Sequence, residues 1–187
     1  MKVSEVLKEE HRQILRALDV LEGMAVRVSH GEALNKTDAR DVVALLNGFA
    51  DRHHQGKEEA ILFPALLQDR NQKNHEKLCG LIFEHDQERS LAGGLEEAVE
   101  TNNAKEFLFC AEQLIRKTRA HIDTEDRVLL ALADSTLSPI DRDRVGTELR
   151  DFDRAWQDRV LARLLKRLDE LEPEYRIPVS ARKVVCG

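Results

Sequence analysis

Apolar residues recur at intervals of three and four along most of this chain, the spacing that places side chains on one face of a helix. In the first stretch, for example, Leu7, Ile14, Leu18 and Leu21 share a face, and most residues between them are polar. Short polar segments interrupt the pattern and predict turns. The predicted helices span residues 4–30, 38–68, 75–100, 103–133 and 139–171. We therefore predict an all-α protein, an up-and-down four-helix bundle with an additional C-terminal helix.

Capping residues support several of these helix boundaries. Thr37 stands in front of the second helix as its predicted N-cap, and Asn103 takes the same role before the fourth. Ser138 followed by Pro139 supplies an N-cap and a first-position proline for the fifth helix. That helix carries no histidine, so we interpret it as a stabilising addition that covers the bundle or a partner subunit.

The composition agrees with one helical domain. The chain has 187 residues, of which 42% are hydrophobic, 34% charged and only 4% aromatic, a balance that favours long solvated helices over strands. No linker divides it. We expect residues 1–171 to form one domain, with the four-helix bundle at 4–133 and the fifth helix at 139–171, and residues 172–187 to form an extended tail.

Charge and hydropathy exclude several classes of partner. The net charge is −6 and basic residues alternate with acidic ones, so no basic face for nucleic acid is expected. The chain starts in a charged amphipathic pattern and contains no apolar run of membrane-spanning length, so we expect neither a signal peptide nor a membrane partner. The three cysteines, Cys79, Cys110 and Cys186, have no framework spacing, which predicts reduced thiols and a cytoplasmic protein.

Histidines interrupt the apolar face of each of the first four helices. Two of them are followed four residues later by a glutamate, and side chains at i and i+4 stand on the same side of a helix. An imidazole and a carboxylate so placed can reach one metal ion or two adjacent ions. The candidate ligands are His11, His54, Glu58, His85, His121 and Glu125.

In an up-and-down bundle these candidates fall at one level. With a rise of about 1.5 Å per residue, all of them lie roughly 10–20 Å from the same end of the bundle. Helix axes about 8–10 Å apart allow inward side chains to meet around a two-metal site. A set of four histidines and two carboxylates favours Fe, Mn or Zn over Mg or Ca.

Neighbouring acidic residues leave the choice of carboxylate ligand open. Asp126 is an alternative to Glu125, and Glu59 is an alternative to Glu58. We expect both alternatives to be surface charges or partners of the ligands rather than ligands. His53 lies about 100° around the helix from His54 and is expected to face outward or to contact a ligand.

Several short motifs together resemble the hemerythrin-like, or HHE cation-binding, family over roughly residues 5–155. The motifs are Glu9-Glu10-His11, Phe49 to His54, Lys57-Glu58-Glu59, Leu62-Phe63-Pro64, Glu84-His85-Asp86, His121-Ile122 and Glu125-Asp126. The resemblance implies a hemerythrin-like four-helix bundle with two non-heme Fe ions joined by an oxo or hydroxo bridge. It also implies that the four histidines of the candidate set are terminal ligands and that Glu58 and Glu125 are bridging carboxylates.

The sequence departs from the oxygen-carrying hemerythrins at one ligand. Those proteins have a second histidine one turn from the histidine of the third helix, and here the corresponding residues are Leu81 and Arg89. Six ligands therefore leave an open coordination position unless another side chain completes the set. The candidates for that role are Glu84, Glu88, His30, His53 and Gln55. An open position favours binding of an exogenous ligand, iron handling or peroxide chemistry.

These features support three classes of function. The first is a di-iron protein that binds or senses dioxygen, nitric oxide or peroxide, or handles iron. The second is a di-iron enzyme with peroxidase or catalase-like activity, or a repair factor that donates iron. The third is a metal-free helical interaction module. We expect no fused output domain, so a signal is expected to pass through a partner or through the fifth helix. The expected partners are a second copy of the chain in a homodimer or an unidentified protein.

Overall fold

The computed structural model describes residues 3–68, 72–156 and 159–177, and every regular element in these ranges is a helix. This confirms the predicted all-α class. None of the described helices is long and apolar enough to cross a bilayer. We number the helices α1 (Val3–Ser29), α2 (36–66), α3 (Gln72–Thr101), α4 (104–136), α5 (Pro139–Ala155) and α6 (Arg159–Glu174).

The first four helices pack in a closed ring. Helix α1 contacts α2 and α4, and α3 contacts the same two helices. Their facing residues form two buried apolar clusters. One is centred on Leu18, Leu95 and Phe107, and the other is centred on Leu7 and Phe63. In every one of the four helices, the predicted ligands lie in sequence between residues of the first cluster and residues of the second.

Two of the predicted caps are present. The side chain of Asn103 accepts a hydrogen bond of 3.2 Å from the backbone N–H of Glu106 at the start of α4. Ser138 likewise accepts from the backbone N–H of Asp141 at 3.1 Å, and Pro139 occupies the first turn of α5. Each cap satisfies an N–H that has no partner inside the helix.

The predicted cap of the second helix is wrong by two residues. Asn35 is the N-cap of α2, and its side chain accepts hydrogen bonds from the backbone N–H groups of Thr37 and Asp38 at 3.1 and 3.3 Å. Asparagine and threonine both cap helices, but Asn35 has the extended backbone that a cap requires, with φ of −73° and ψ of 99°. Thr37 is already helical.

Helices α2 and α4 contain π-helical turns that the sequence pattern did not predict. In α2 they span Leu46–Gln55 and Glu58–Leu62, and in α4 they span Glu125–Leu129. Such turns are rare and are concentrated at functional sites. Pro64 lies two residues after the end of the second of them, as expected from its inability to continue regular α-helical hydrogen bonding.

The predicted fifth helix is two helices. Helix α5 ends at Ala155, and Trp156 leaves the α-helical region with φ of −92° and ψ of 16°. An unbroken helix from 139 to 171 would extend about 50 Å in one direction. The break instead allows Val145 and Leu149 of α5 to cover one apolar cluster, and Leu168 of α6 to cover the other.

The boundary of the predicted tail is also wrong. Helix α6 continues to Glu174, and the side chains of Tyr175 and Ile177 are buried. The hydroxyl of Tyr175 donates a hydrogen bond of 2.7 Å to Asp38 at the start of α2. The rest of the predicted tail, including Cys186, lies outside the described residues. Hydrophobic burial and this hydrogen bond thus extend the packed structure at least to residue 177.

Candidate metal centre

All six predicted ligands meet in one buried layer between the two apolar clusters. None of their side chains is more than 4% exposed. They form two groups, in each of which the candidate ligand atoms lie within 4.8 Å of one another. The first group is His11, His54, Glu58 and Glu125, and the second is Glu58, His85, His121 and Glu125. Both carboxylates belong to both groups.

The first group joins α1 and α2 with α4. The Nε2 atoms of His11 and His54 are 3.1 Å apart. Glu125 Oε2 lies 3.2 Å from His11 Nε2, and Glu58 Oε1 lies 3.7 Å from His54 Nε2. Two imidazole nitrogens and one oxygen of each carboxylate therefore converge on one small volume.

The second group repeats this arrangement and joins α2 and α3 with α4. The Nε2 atoms of His85 and His121 are 3.0 Å apart. Glu125 Oε1 lies 3.1 Å from His121 Nε2, and Glu58 Oε2 lies 3.5 Å from His85 Nε2. Each carboxylate thus directs one oxygen towards each histidine pair, which is the arrangement of a carboxylate that bridges two ions.

A carboxylate holds the outer nitrogen of each histidine. The Nδ1 contacts are His11 to Asp126 at 2.9 Å, His54 to Glu10 at 2.9 Å, His85 to Glu59 at 2.7 Å and His121 to Glu84 at 2.7 Å. A proton on Nδ1 can be donated to that carboxylate, and the lone pair of Nε2 then faces the centre. This tautomer is the one that binds a metal ion through Nε2.

The unpaired atoms of the layer fit a pair of cations. All four carboxylate oxygens of Glu58 and Glu125 are buried, and in the tautomer described above they accept no hydrogen bond from the described residues. In the tautomer described above, two facing Nε2 atoms have no proton to share and repel each other. Buried carboxylates without a partner are very costly. One cation in each group would satisfy its two Nε2 atoms and two of these oxygens.

The comparison with known families agrees with this geometry. The family model described as the hemerythrin HHE cation binding domain matches residues 2–133. The chain belongs to this family. The match includes all six candidate ligands but ends before α5 and α6. Searches of curated proteins and of solved structures find no match to the chain.

Without a cation, several side chains of the ligand layer have pKa values far from their ordinary ones. Burial lowers the pKa of His54 and His121, but nearby carboxylates, chiefly Glu58 and Glu125 respectively, outweigh burial and raise both values to about 10. Burial and His121 lower the pKa of His85 to about 4. Burial and Glu125 raise the pKa of Glu58. The pKa values of neighbouring side chains therefore shift in opposite directions. In the absence of a cation, protons on some of these side chains supply the positive charge that balances the carboxylates.

The structure shows that the two alternative carboxylates, Asp126 and Glu59, do not face the centre of the ligand layer. Asp126 contacts the outer nitrogen of His11, and Glu59 contacts the outer nitrogen of His85. Neither belongs to either ligand group. They hold the histidines in position, as expected for partners of ligands, and Glu84 does the same for His121.

Two of the three histidines outside the candidate set, His30 and His53, were considered as additional ligands, and both lie outside the two ligand groups. His30 is exposed, and its Nδ1 contacts the backbone oxygen of Val26 at 2.7 Å. Of the two orientations expected for His53, the outward one is wrong, because this side chain is buried, stacks on Phe49 and places Nε2 3.1 Å from Asp153. Helix α5 covers this side of α2. The apolar pattern of α2 alone gives no sign of this contact, because α5 is distant in sequence.

Gln55 and Glu88 are buried beside the ligand groups but do not join them. The amide nitrogen of Gln55 donates a hydrogen bond of 2.7 Å to Glu88 Oε2. The remaining oxygen of each side chain is buried without a hydrogen-bond partner. Burial raises the pKa of Glu88 above its ordinary value. Neither residue therefore completes the ligand set in the described geometry.

Sequence reasoning missed a role for Lys57, which is completely buried. Its ammonium group contacts Glu10, the carboxylate that holds His54, and Asp153 of α5 at 2.8 Å. Lys57 lies three residues after His54 and so shares its side of the helix. That spacing was the one sign in the sequence that Lys57 lies near the ligands, but a lysine among charged residues is usually exposed to solvent.

Proposed function

We propose that the hemerythrin domain holds two iron ions, bridged by Glu58 and Glu125, and that this centre binds or senses dioxygen, nitric oxide or peroxide. The observation that carries the proposal is the set of four buried carboxylate oxygens without hydrogen bonds, each directed towards an imidazole pair. A protein core retains such groups at a high energetic cost unless a cation compensates them.

The donor set favours iron, manganese or zinc. Imidazole and carboxylate together suit these ions, and family membership selects a cation-binding role. Each group offers four donor atoms, one from each of its residues. The six residues would hold two ions with few protein donors for each, which would leave room for a small exogenous ligand. Iron, when bound, supplies redox-active sites for such small ligands.

The surrounding residues prepare the site for this task. Hydrogen bonds from Nδ1 to the four outer carboxylates orient each imidazole and make its Nε2 a stronger donor to a cation. The apolar clusters above and below the layer limit access of water. We propose that the centre is thereby rigid and dry, and that a small ligand enters from the side of the bundle.

Metal content and the ultraviolet–visible spectrum of protein purified from iron-replete cells test the proposal. We expect about two irons per chain and charge-transfer bands that change on addition of dioxygen, nitric oxide or hydrogen peroxide. The double variant His54→Ala/Glu58→Ala is expected to lose iron and bands. His30→Ala, which removes an exposed histidine outside the layer, serves as the matched control and should retain both.

Other outcomes would point elsewhere. If wild-type protein and both variants contain no stoichiometric metal, the di-iron proposal is refuted and a metal-free interaction module replaces it. Stoichiometric manganese or zinc after purification in iron-replete medium would refute the iron assignment alone. Iron without any spectral response to the three ligands would refute the ligand-binding role.

A peroxide-consuming enzyme is the second candidate. The unpaired oxygens of Gln55 and Glu88 beside the ligand groups favour it, because they offer hydrogen-bond acceptors close to the centre. Consumption of hydrogen peroxide should then exceed that of an equal concentration of free iron over many turnovers. Stoichiometric reaction followed by arrest would support binding or sensing instead.

A further inference from the structure

A small cavity lies between α2, α3 and α4, next to the ligand layer. Its volume is about 30 Å³, enough for one or two molecules of the size of water. Ala50 and Ala92 form part of its wall, and small side chains at these positions leave the space open. Gln55 and Glu88 lie at its buried end, each at least nine-tenths buried.

The buried end of the cavity presents two hydrogen-bond acceptors, one from Gln55 and one from Glu88. The amide nitrogen of Gln55 donates one of its two hydrogens to Glu88 Oε2 at 2.7 Å, and the hydroxyl of Thr118 also lines the cavity. Gln55 Oε1 and Glu88 Oε1 remain buried without a hydrogen-bond partner. Buried acceptors without donors are unfavourable, so a molecule that donates two hydrogens fits this end of the cavity.

The same end of the cavity adjoins the proposed metal pair. Gln55 directly follows His54 in α2, and Glu88 lies one turn after His85 in α3. Glu88 also interacts electrostatically with His121 and Glu125. A small molecule bound to Gln55 and Glu88 is therefore next to the second ligand group.

An ion pair stands at the outer end of the cavity. Arg89 Nε donates to Asp51 Oδ1 at 2.6 Å, and both side chains are about one-third exposed. Another nitrogen of Arg89 donates to Glu59 at 2.6 Å, and Glu59 holds the outer nitrogen of His85. Charged groups thus stand at the outer end of the cavity, and Arg89 is linked through Glu59 to His85 of the ligand layer.

We propose that Gln55 and Glu88 form a subsite for hydrogen peroxide, which enters past Arg89 and Asp51 and is held beside the metal pair. Hydrogen peroxide has two hydrogens to donate to the two unpaired oxygens, whereas dioxygen and nitric oxide have none. The subsite therefore selects peroxide among the three ligands considered for the centre. This inference rests on the proposed di-iron function.

Substitution of Glu88 tests the subsite in iron-loaded protein. Glu88→Leu removes both carboxylate oxygens, and Glu88→Gln keeps the shape and one acceptor. Glu97→Leu, at an exposed position of the same helix, is the matched control. Iron content, the half-saturating peroxide concentration from spectral titration and the affinity for nitric oxide are measured for all four proteins.

We expect Glu88→Leu to retain iron and nitric oxide affinity and to bind peroxide about tenfold more weakly, the effect of losing one good hydrogen bond. Glu88→Gln should show a smaller loss and Glu97→Leu none. Unchanged peroxide binding, or equal losses for peroxide and nitric oxide, would overturn the subsite. Loss of iron from both Glu88 variants would overturn it too, because Glu88 would then be a ligand. Wild-type protein without iron would refute the di-iron function itself, and the subsite with it.

Discussion

Replacement of Lys57 by methionine tests the buried charge network behind His54. The ammonium group of Lys57 contacts Glu10 and Asp153, and Glu10 Oε2 accepts from His54 Nδ1 at 2.9 Å. Burial raises the pKa of Glu10, but His54 and Lys57 outweigh burial and hold it below its ordinary value. Glu10 is therefore charged at neutral pH. Lys57→Met keeps most of the buried aliphatic stem and removes only the compensating cation.

The structure sets the size of the expected loss. Removing one partner of a buried ion pair costs about 3–5 kcal/mol. The side chain of Asp153 is 39% exposed, so water can solvate it after the change and the lower end of that range applies. We expect the free energy of unfolding to fall by about 3 kcal/mol. With a urea dependence of about 2–3 kcal/mol/M, the midpoint should fall by about 1–1.5 M.

Urea denaturation of metal-free protein measures this loss in a double-mutant cycle. The proteins are wild type, Lys57→Met, Glu10→Gln and the double variant, with Lys105→Met as the control at an exposed position. If the two charges compensate each other, the double variant should lose less than the sum of the single losses. Iron affinity of Lys57→Met should also fall about 10–100-fold, because the partner of His54 is disturbed. A loss below about 1 kcal/mol, or strictly additive losses, would refute the reasoning.

Three further predictions concern the C-terminal segment and the metal. A Cβ at Gly23 would lie 1.9 Å from the backbone oxygen of Tyr175, so Gly23→Ala should destabilise the protein by about 1–3 kcal/mol in thermal denaturation. Gly93→Ala, in open space on α3, should instead stabilise it by about 0.5–1 kcal/mol. Burial and the bond to Asp38 raise the pKa of Tyr175, the single tyrosine, so its neutral form stabilises the fold below about pH 10 and this contribution is lost as the pH rises further. The unfolding free energy of wild type should therefore decline more steeply above that pH than that of Tyr175→Phe, and parallel curves would contradict this. Acid should release the metal, because bound imidazoles must be neutral, and unchanged metal content well below pH 6.5 would exclude histidine ligation.

The sequence by itself determined the helices and the candidate ligands. Periodic apolar residues define each helix locally, and a histidine within an apolar stripe remains visible without knowledge of the neighbouring helices. The spacing of four residues from His54 to Glu58, and from His121 to Glu125, places each pair on one side of its own helix. Short connections between the helices then bring the candidates to one level, as the structure shows.

The same local reasoning could not decide which acidic residue faces the centre. Glu58 and Glu59 are both close to the correct side of α2, as are Glu125 and Asp126 of α4. The rotation of each helix within the ring, together with its π-helical turns, directs one carboxylate inward and leaves the other to hold a histidine of a different helix. That rotation is a property of packing between helices.

Only the tertiary structure decided the role of the segment from residue 139 onward. The apolar pattern of residues 139–171 predicts helix throughout, but the break at Trp156 allows α5 and α6 to follow the surface of the bundle. The burial of Lys57 depends on α5, which contributes Asp153 from 96 residues away in the chain. Periodicity and capping are encoded within a few neighbouring residues, whereas these contacts require helices distant in sequence to pack together, and so only the folded chain determines them.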